Sequence, residues 1–200
     1  NLKLTVGEKV IMDGFNLHVK ENTKVGIYGK SGRGKSTLLK AIFNLFEPTS
    51  GQILIGGNNI KEYKPFSFRQ SIVYINQDTS LENTTVMENL QVGNTRTKKE
   101  ITEFLKRFDL MGVFQNGLQQ PITMNGKLIS KGMQKVIFMT RGLLRKDAKI
   151  FLIDEPTTSV DAATKLKLIE AIQTVCASKT VICVSHDDDL KTIMDVTIEI

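Results

Sequence analysis

The sequence predicts an α/β fold: a mostly parallel sheet covered by helices, with a helical subdomain inserted between two groups of strands. Three observations carry that prediction. Short apolar runs of strand length alternate with segments whose apolar residues recur at helical spacing. A glycine-rich turn joins an early run to the first such helix. A strand-poor stretch, from about Thr79 to Lys146, then separates the early strands from the late ones.

In chain order, residues 25–28 read as a buried strand. After the glycine-rich turn, Leu38, Leu39, Ile42, Phe43 and Phe46 place one apolar face on a helix, which Pro48, Ser50 and Gly51 stop. Residues 53–55 and 72–75 are further short strands, with Gly56, Gly57, Asn58 and Asn59 as turn chemistry between them. His18 reads as a surface residue of a strand. Ile101, Phe104, Leu105 and Phe108 recur at helical spacing, so the two phenylalanines read as core residues rather than a base-stacking platform. Val136, Ile137, Thr140, Leu143 and Leu144 mark a second helix of the insertion. Strands return at 150–153 and 181–184, with a helix between them marked by Val160, Ala163, Leu166, Ile169, Ile172 and Val175. Residues 197–200 start a last strand.

Composition narrows the classes. Two hundred residues make one domain, or one domain carrying a subdomain. With 40% hydrophobic and 24% charged residues, the chain is not disordered. The balance of 27 Lys and Arg against 21 Asp and Glu leaves a net charge of +6, but the basic residues are scattered. The densest cluster, Arg96, Lys98 and Lys99, has Glu100 beside it and reads as a solvated helix start, so no nucleic-acid partner is expected. No apolar run approaches the roughly 18 residues of a membrane span, and no signal peptide is visible. The chain opens on Asn1 rather than Met, which suggests a fragment. Cys176 and Cys183 lie among apolar neighbours and read as buried free thiols. Two histidines cannot supply a rich metal cluster.

The strongest local signal is Gly29-Lys30-Ser31-Gly32-Arg33-Gly34-Lys35-Ser36-Thr37, which fits G-x-x-x-x-G-K-[ST] between a strand and a helix. Glycines let successive N–H groups turn inward as an anion nest, and the helix start adds unpaired N–H groups and the positive end of its dipole. Lys35 is expected to reach β- and γ-phosphates, Ser36 to ligate Mg²⁺, and Thr37 to add a hydroxyl at the α-phosphate. The second signal is Asp154-Glu155 at the end of the apolar run 150–153. Strand ends of an open parallel sheet face the ligand crevice. Asp154 is therefore placed to hold Mg²⁺, and Glu155 to polarise an attacking water as general base.

With these motifs in order, the chain resembles the ATP-binding cassette (ABC) ATPases over nearly its whole length. Gln77 in Tyr74-Ile-Asn-Gln77-Asp78 matches the glutamine loop, Thr157-Thr-Ser-Val-Asp161 resembles the D-loop, and Val184-Ser-His186-Asp187 matches the loop whose histidine contacts the γ-phosphate. The stretch from Arg69 through Gln77, Asp78 and Thr79 to Glu88-Asn89-Leu90 looks like the exporter branch. So does Gly117-Leu118 leading to Gly126 and Ser130.

The resemblance implies a P-loop NTPase (RecA-like) core, residues 1–78 and 147–200, with a helical subdomain at 79–146. It implies ATP and Mg²⁺ as cofactors, with Mg²⁺ held by Ser36, Asp154 and Gln77. It also implies catalysis by Glu155, His186, Gln77 and Lys35. Two cassettes, identical or different, would sandwich two nucleotides head to tail and drive the transmembrane domains of an exporter. The cassette would be membrane-associated on the cytoplasmic side. A soluble non-transport ABC ATPase and a regulatory module of low turnover are the alternatives.

Two departures stand out. The family's Leu-Ser-Gly-Gly-Gln signature is here Ile129-Ser130-Lys131-Gly132-Met133. Ser130 and Gly132 remain to meet a partner's nucleotide, while Lys131 replaces a glycine. Its charge opposes its own helix dipole but attracts phosphate, which suggests an asymmetric pair of sites. Second, residues 2–10 hold no aromatic to stack on adenine, so only a loose preference for ATP over GTP is expected.

Overall fold

β-Branched and aromatic residues decide where most strands fall. The computed structural model describes residues 1–76, 80–122 and 129–200. Its strands are β1 (Leu2–Val6), β2 (Lys9–Phe15), β3 (Lys24–Tyr28), β4 (Leu54–Ile55), β5 (Asn58–Asn59), β6 (Ile72–Ile75), β7 (Ile150–Asp154), β8 (Thr180–Ser185) and β9 (Val196–Glu199). Its α-helices are α1 (Lys35–Ile42), α2 (Pro65–Ser71), α3 (Val86–Gln91), α4 (Lys98–Arg107), α5 (Lys131–Leu143) and α6 (Ala162–Val175). The main sheet runs β6-β7-β8-β3-β9. The pairings β7–β8, β8–β3 and β3–β9 are parallel, and the near-continuous burial of β3, β7 and β8 is that of strands covered on both faces, while the edge strand β9 is mostly exposed.

Two compact units share the chain. One comprises Asn1–Tyr74, Asp147–Asp154 and Ser178–Ile200; the other comprises Ile75–Lys146 and Glu155–Ala177. The stretch 155–177 carries α6, which buries Leu168, Ile169 and Ile172 and contacts α5 within the second unit.

In the first unit, Leu4, Ile27, Leu39, Leu152 and Val184 form a continuous core with the sheet and α1. Leu39 is fully buried, and truncating such a leucine to Ala costs about 2–5 kcal/mol. Helix α1 is shorter than its apolar spacing suggests. Asn44 adopts φ 57°, Leu45 N–H donates to Lys40 O at 2.9 Å and Asn44 N–H to Ala41 O at 3.0 Å. This is a Schellman end with Asn in the left-handed position, so Phe46 lies beyond the helix. The antiparallel β1–β2 hairpin escapes the sequence pattern, because β2 carries a register shift and does not alternate in burial. His18 is exposed but lies on the irregular stretch after β2, not on a strand.

In the second unit, α3 and α4 each begin with a reciprocal capping box, Thr85 with Glu88 and Thr97 with Glu100. Lys98 and Lys99 stand exposed in the first turn of α4. Arg96 pairs with Glu100 at 2.9 Å and donates to Leu144 O at 3.0 Å. Asn89, fully buried, donates to Glu82 O, Thr84 Oγ1 and Thr85 O, and accepts from the Arg141 guanidinium at 2.6 Å. Burial lowers the Arg141 pKa to about 10, against the raising pull of Glu82. Phe104 and Phe108 meet edge to face at 4.9 Å, and Phe108 is buried. Cys176, here, and Cys183, in β8, are buried and form no disulfide.

Candidate nucleotide-binding site

The site is built at one end of the parallel strands. In the β3–β8 register Tyr28 lies opposite Ser185, and in the β7–β8 register Asp154 lies opposite Val184. The loop beginning at Gly29, the carboxylate of Asp154, and His186 therefore share the carboxyl edge of the sheet, where open α/β folds bind ligands.

Close packing shapes the loop. Gly29 has φ 149°, and a Cβ there would sit 2.2 Å from the Ile200 carbonyl oxygen. Gly34 has φ 85°, and its Cβ would meet Ile11 Cγ2 at 2.4 Å. No other residue fits either position without displacing main chain or core. Lys30, Ser31, Gly32 and Arg33 are exposed, and Thr37 is half-buried. Gly34 caps α1 without a side-chain acceptor, so the first-turn N–H groups have no side-chain cap.

Lys35 is buried, and its ammonium folds back over the loop to donate to Gly29 O at 2.6 Å and Lys30 O at 3.1 Å. Ser36 Oγ donates to Asp154 Oδ1 at 3.0 Å, and Tyr74 Oη donates to Asp154 Oδ2 at 3.1 Å. Asp154 is 4% exposed, and both carboxylate oxygens are engaged. A hydroxyl and a carboxylate beside this glycine-rich loop are hard oxygen donors, the chemistry Mg²⁺ selects. Tyr74 carries no motif signal; only its place one strand from Asp154 reveals it.

Glu155, next along the chain, begins the second stretch of the other unit. Its φ is 49°, a left-handed conformation that costs a non-glycine residue about 1–3 kcal/mol. Its carbonyl accepts from Lys135 Nζ at 2.7 Å and from Thr158 Oγ1 at 3.0 Å. Lys135 is 6% exposed, and no sequence motif singles it out. His186 is exposed just beyond β8, and Asp187 N–H donates to Ser185 Oγ at 3.0 Å behind it.

Within the second unit, Ser130 caps α5, accepting from Met133 N–H at 3.1 Å. Lys131 is exposed in the first turn. A Cβ on Gly132 would lie 3.1 Å from Ser159 O, a tight approach that the neighbouring chain would have to relieve by a few tenths of an ångström. Gln77, Asp78, Thr79 and Gly126 lie outside the described residues.

Comparison with known proteins bears on the family and the fold. The family model described as ABC transporter matches residues 12–158. A probable ABC transporter ATP-binding/permease protein of Haemophilus influenzae is 34% identical over 204 residues, covering 100% of this chain and 37% of that protein. The mitochondrial iron-sulfur clusters transporter ATM1 of Debaryomyces hansenii is 34% identical over 194 residues, covering 94% of this chain and 27% of that protein. Among solved structures, a bacterial Atm1-family ABC exporter with ATP bound superposes with a TM-score of 0.90 at 24% identity. That alignment covers 99% of this chain and 36% of the other, and at that identity it establishes the fold. The chain spans well under half the length of these relatives.

Proposed function

The chain belongs to the ABC transporter family, and from that premise we propose that it is the ATP-hydrolysing nucleotide-binding cassette of an exporter. The observation that carries the site assignment is the Ser36–Asp154 hydrogen bond, which joins the phosphate loop to the acidic strand end at 3.0 Å. The loop 29–37 cradles the phosphates through its main chain. Lys35 exchanges two neutral carbonyls for phosphate oxygens, a stronger charge-assisted partner. Ser36 and Asp154, with Gln77, would hold Mg²⁺, whose charge would neutralise that of the phosphates. Glu155 takes the proton of the attacking water, and His186 orients the γ-phosphate.

In the assembled protein, two cassettes close on two nucleotides and drive transmembrane domains, with the cassette on the cytoplasmic side. In this reading residues 1–78 and 147–200 are the nucleotide core and 79–146 the helical subdomain. Among the described residues no helix is long and apolar enough to cross a membrane, so in this reading the spans belong to other segments or chains. Lys131 and Met133 favour an asymmetric pair, in which a partner with an unaltered signature completes the site that Glu155 and His186 serve.

Parallel measurement of ATP turnover and ATP binding in the wild type and Glu155→Gln tests the reading. Lost turnover with retained binding supports it. Unchanged turnover would leave Glu155 without the role of base and favour a regulatory module.

A further inference from the structure

We propose that Lys135 is a positioning residue for Glu155: its buried ammonium holds the main chain of the residue whose carboxylate activates water. The inference rests on the reading of Glu155 as general base.

Three observations converge on the Glu155 peptide. The residue sits at φ 49°, where its backbone does not stay without support. Pro156 follows and restricts the conformations open to Glu155. The Glu155 carbonyl is held by two side-chain donors, Lys135 on α5 and Thr158, three residues along the chain in the turn after β7. Two donors on one carbonyl fix the plane of the 155–156 peptide. They thereby fix ψ at Glu155 and the direction in which its Cα–Cβ bond leaves the chain. A carboxylate that must meet a water within hydrogen-bond reach depends on that direction.

The chemistry of Lys135 argues the same way. An ammonium is costly to bury, and an apolar side chain of similar length fills the same volume without that cost. At 6% exposure Lys135 is as buried as Lys35, the phosphate-loop lysine at 7%. It also rises from the second turn of α5, the helix that opens at Ser130 and Lys131. The altered signature and the main chain of the base are thus joined by one rigid helix and one hydrogen bond.

The test compares Lys135→Met, Lys135→Gln and Thr158→Val with the wild type. The readouts are kcat and KM for ATP hydrolysis, affinity for a non-hydrolysable ATP analogue, and Tm. Lys135→Met keeps length and volume but donates nothing; misplacing a catalytic group lowers kcat by about ten- to a hundredfold. Analogue affinity stays within about twofold, because a defect confined to the chemical step spares ground-state binding. Lys135→Gln, which keeps an N–H donor, recovers part of the loss. Thr158→Val shows a smaller fall in kcat with the same unchanged affinity.

Wild-type kcat in Lys135→Met, or kcat and affinity falling together without rescue by Gln, would overturn the inference. If Lys135→Met does not fold, Lys135→Gln and Thr158→Val decide by the same split. Glu155→Gln separates the two levels. If it retains turnover, the base assignment fails and this inference with it. If it is inactive while the Lys135 and Thr158 variants match the wild type, only the positioning role fails.

Discussion

Lys35 and Lys135 invite comparison, because both are buried lysines whose ammonium groups donate to main-chain carbonyls. The acceptors of Lys35 belong to its own loop, five and six residues away. The carbonyl that Lys135 holds lies 20 residues along the chain, on Glu155. A neutral carbonyl is a weaker partner for an ammonium than a phosphate is. In the proposed reading Lys35 has a better partner to gain when nucleotide arrives, so its burial serves affinity, whereas the proposed role of Lys135 is to fix the geometry of a neighbouring group. Similar burial and similar bonds thus serve different ends, and the position of the acceptor in the chain distinguishes them.

The largest effect expected is at Glu155, the residue whose main chain Lys135 holds. Glu155→Gln keeps shape and loses the base, so kcat falls by about 10²–10⁴, read by phosphate release, while ATP binding persists. Lys35→Met removes a charge-assisted phosphate contact worth about 1.5–3 kcal/mol, which is a loss in ATP affinity of about ten- to a hundredfold, read by calorimetric titration. Tyr74→Phe deletes one of the donors to buried Asp154. Urea unfolding should show a loss of about 1–3 kcal/mol, and a wild-type unfolding curve would show that the bond is dispensable.

Lys131→Gly sharpens the comparison at the start of α5. Robust hydrolysis by a homodimer that the substitution leaves unchanged would count against an asymmetric pair.

The smallest effect is electrostatic. Glu100 is held at about 2, from 4.5, first by the Thr97 backbone N–H, then by the Arg96 side chain, the Thr97 hydroxyl and Lys146. Its folded pKa is depressed, so the unfolded chain binds the proton first. Its stabilising contribution is present above pH 4.5 and lost as pH falls toward 2. Glu100→Gln should flatten the dependence of Tm on pH in that window and leave it unchanged near neutrality.

Features set by local spacing were legible in the sequence. The phosphate loop needs contiguous glycines, and the runs that became β3, β6, β7 and β8 announce themselves within a few residues. The hairpin β1–β2 was not legible, because Gly14 at φ 68° and a shifted register break the alternation that marks a strand. The end of α1 was missed for a similar reason: Asn44 terminates the helix by its own left-handed conformation, ahead of the proline that composition flags. Tyr74 and Lys135 act through partners that only the fold brings near, and neither carries a spacing signal, whereas Thr158 lies three residues from its partner within the stretch 157–161 that the sequence already marks. Gly29 and Gly34 were legible as motif glycines, but the reason each is obligatory, the Ile200 carbonyl and the Ile11 side chain, was not.

The most direct test of the central claim, that Lys35 takes phosphate while Lys135 sets geometry, is ATP affinity measured side by side in Lys35→Met and Lys135→Met. The account predicts a loss of about tenfold or more in the first, in line with a charged hydrogen bond, and a value within about twofold of wild type in the second. Equal losses in both, or undiminished affinity in Lys35→Met, would contradict it.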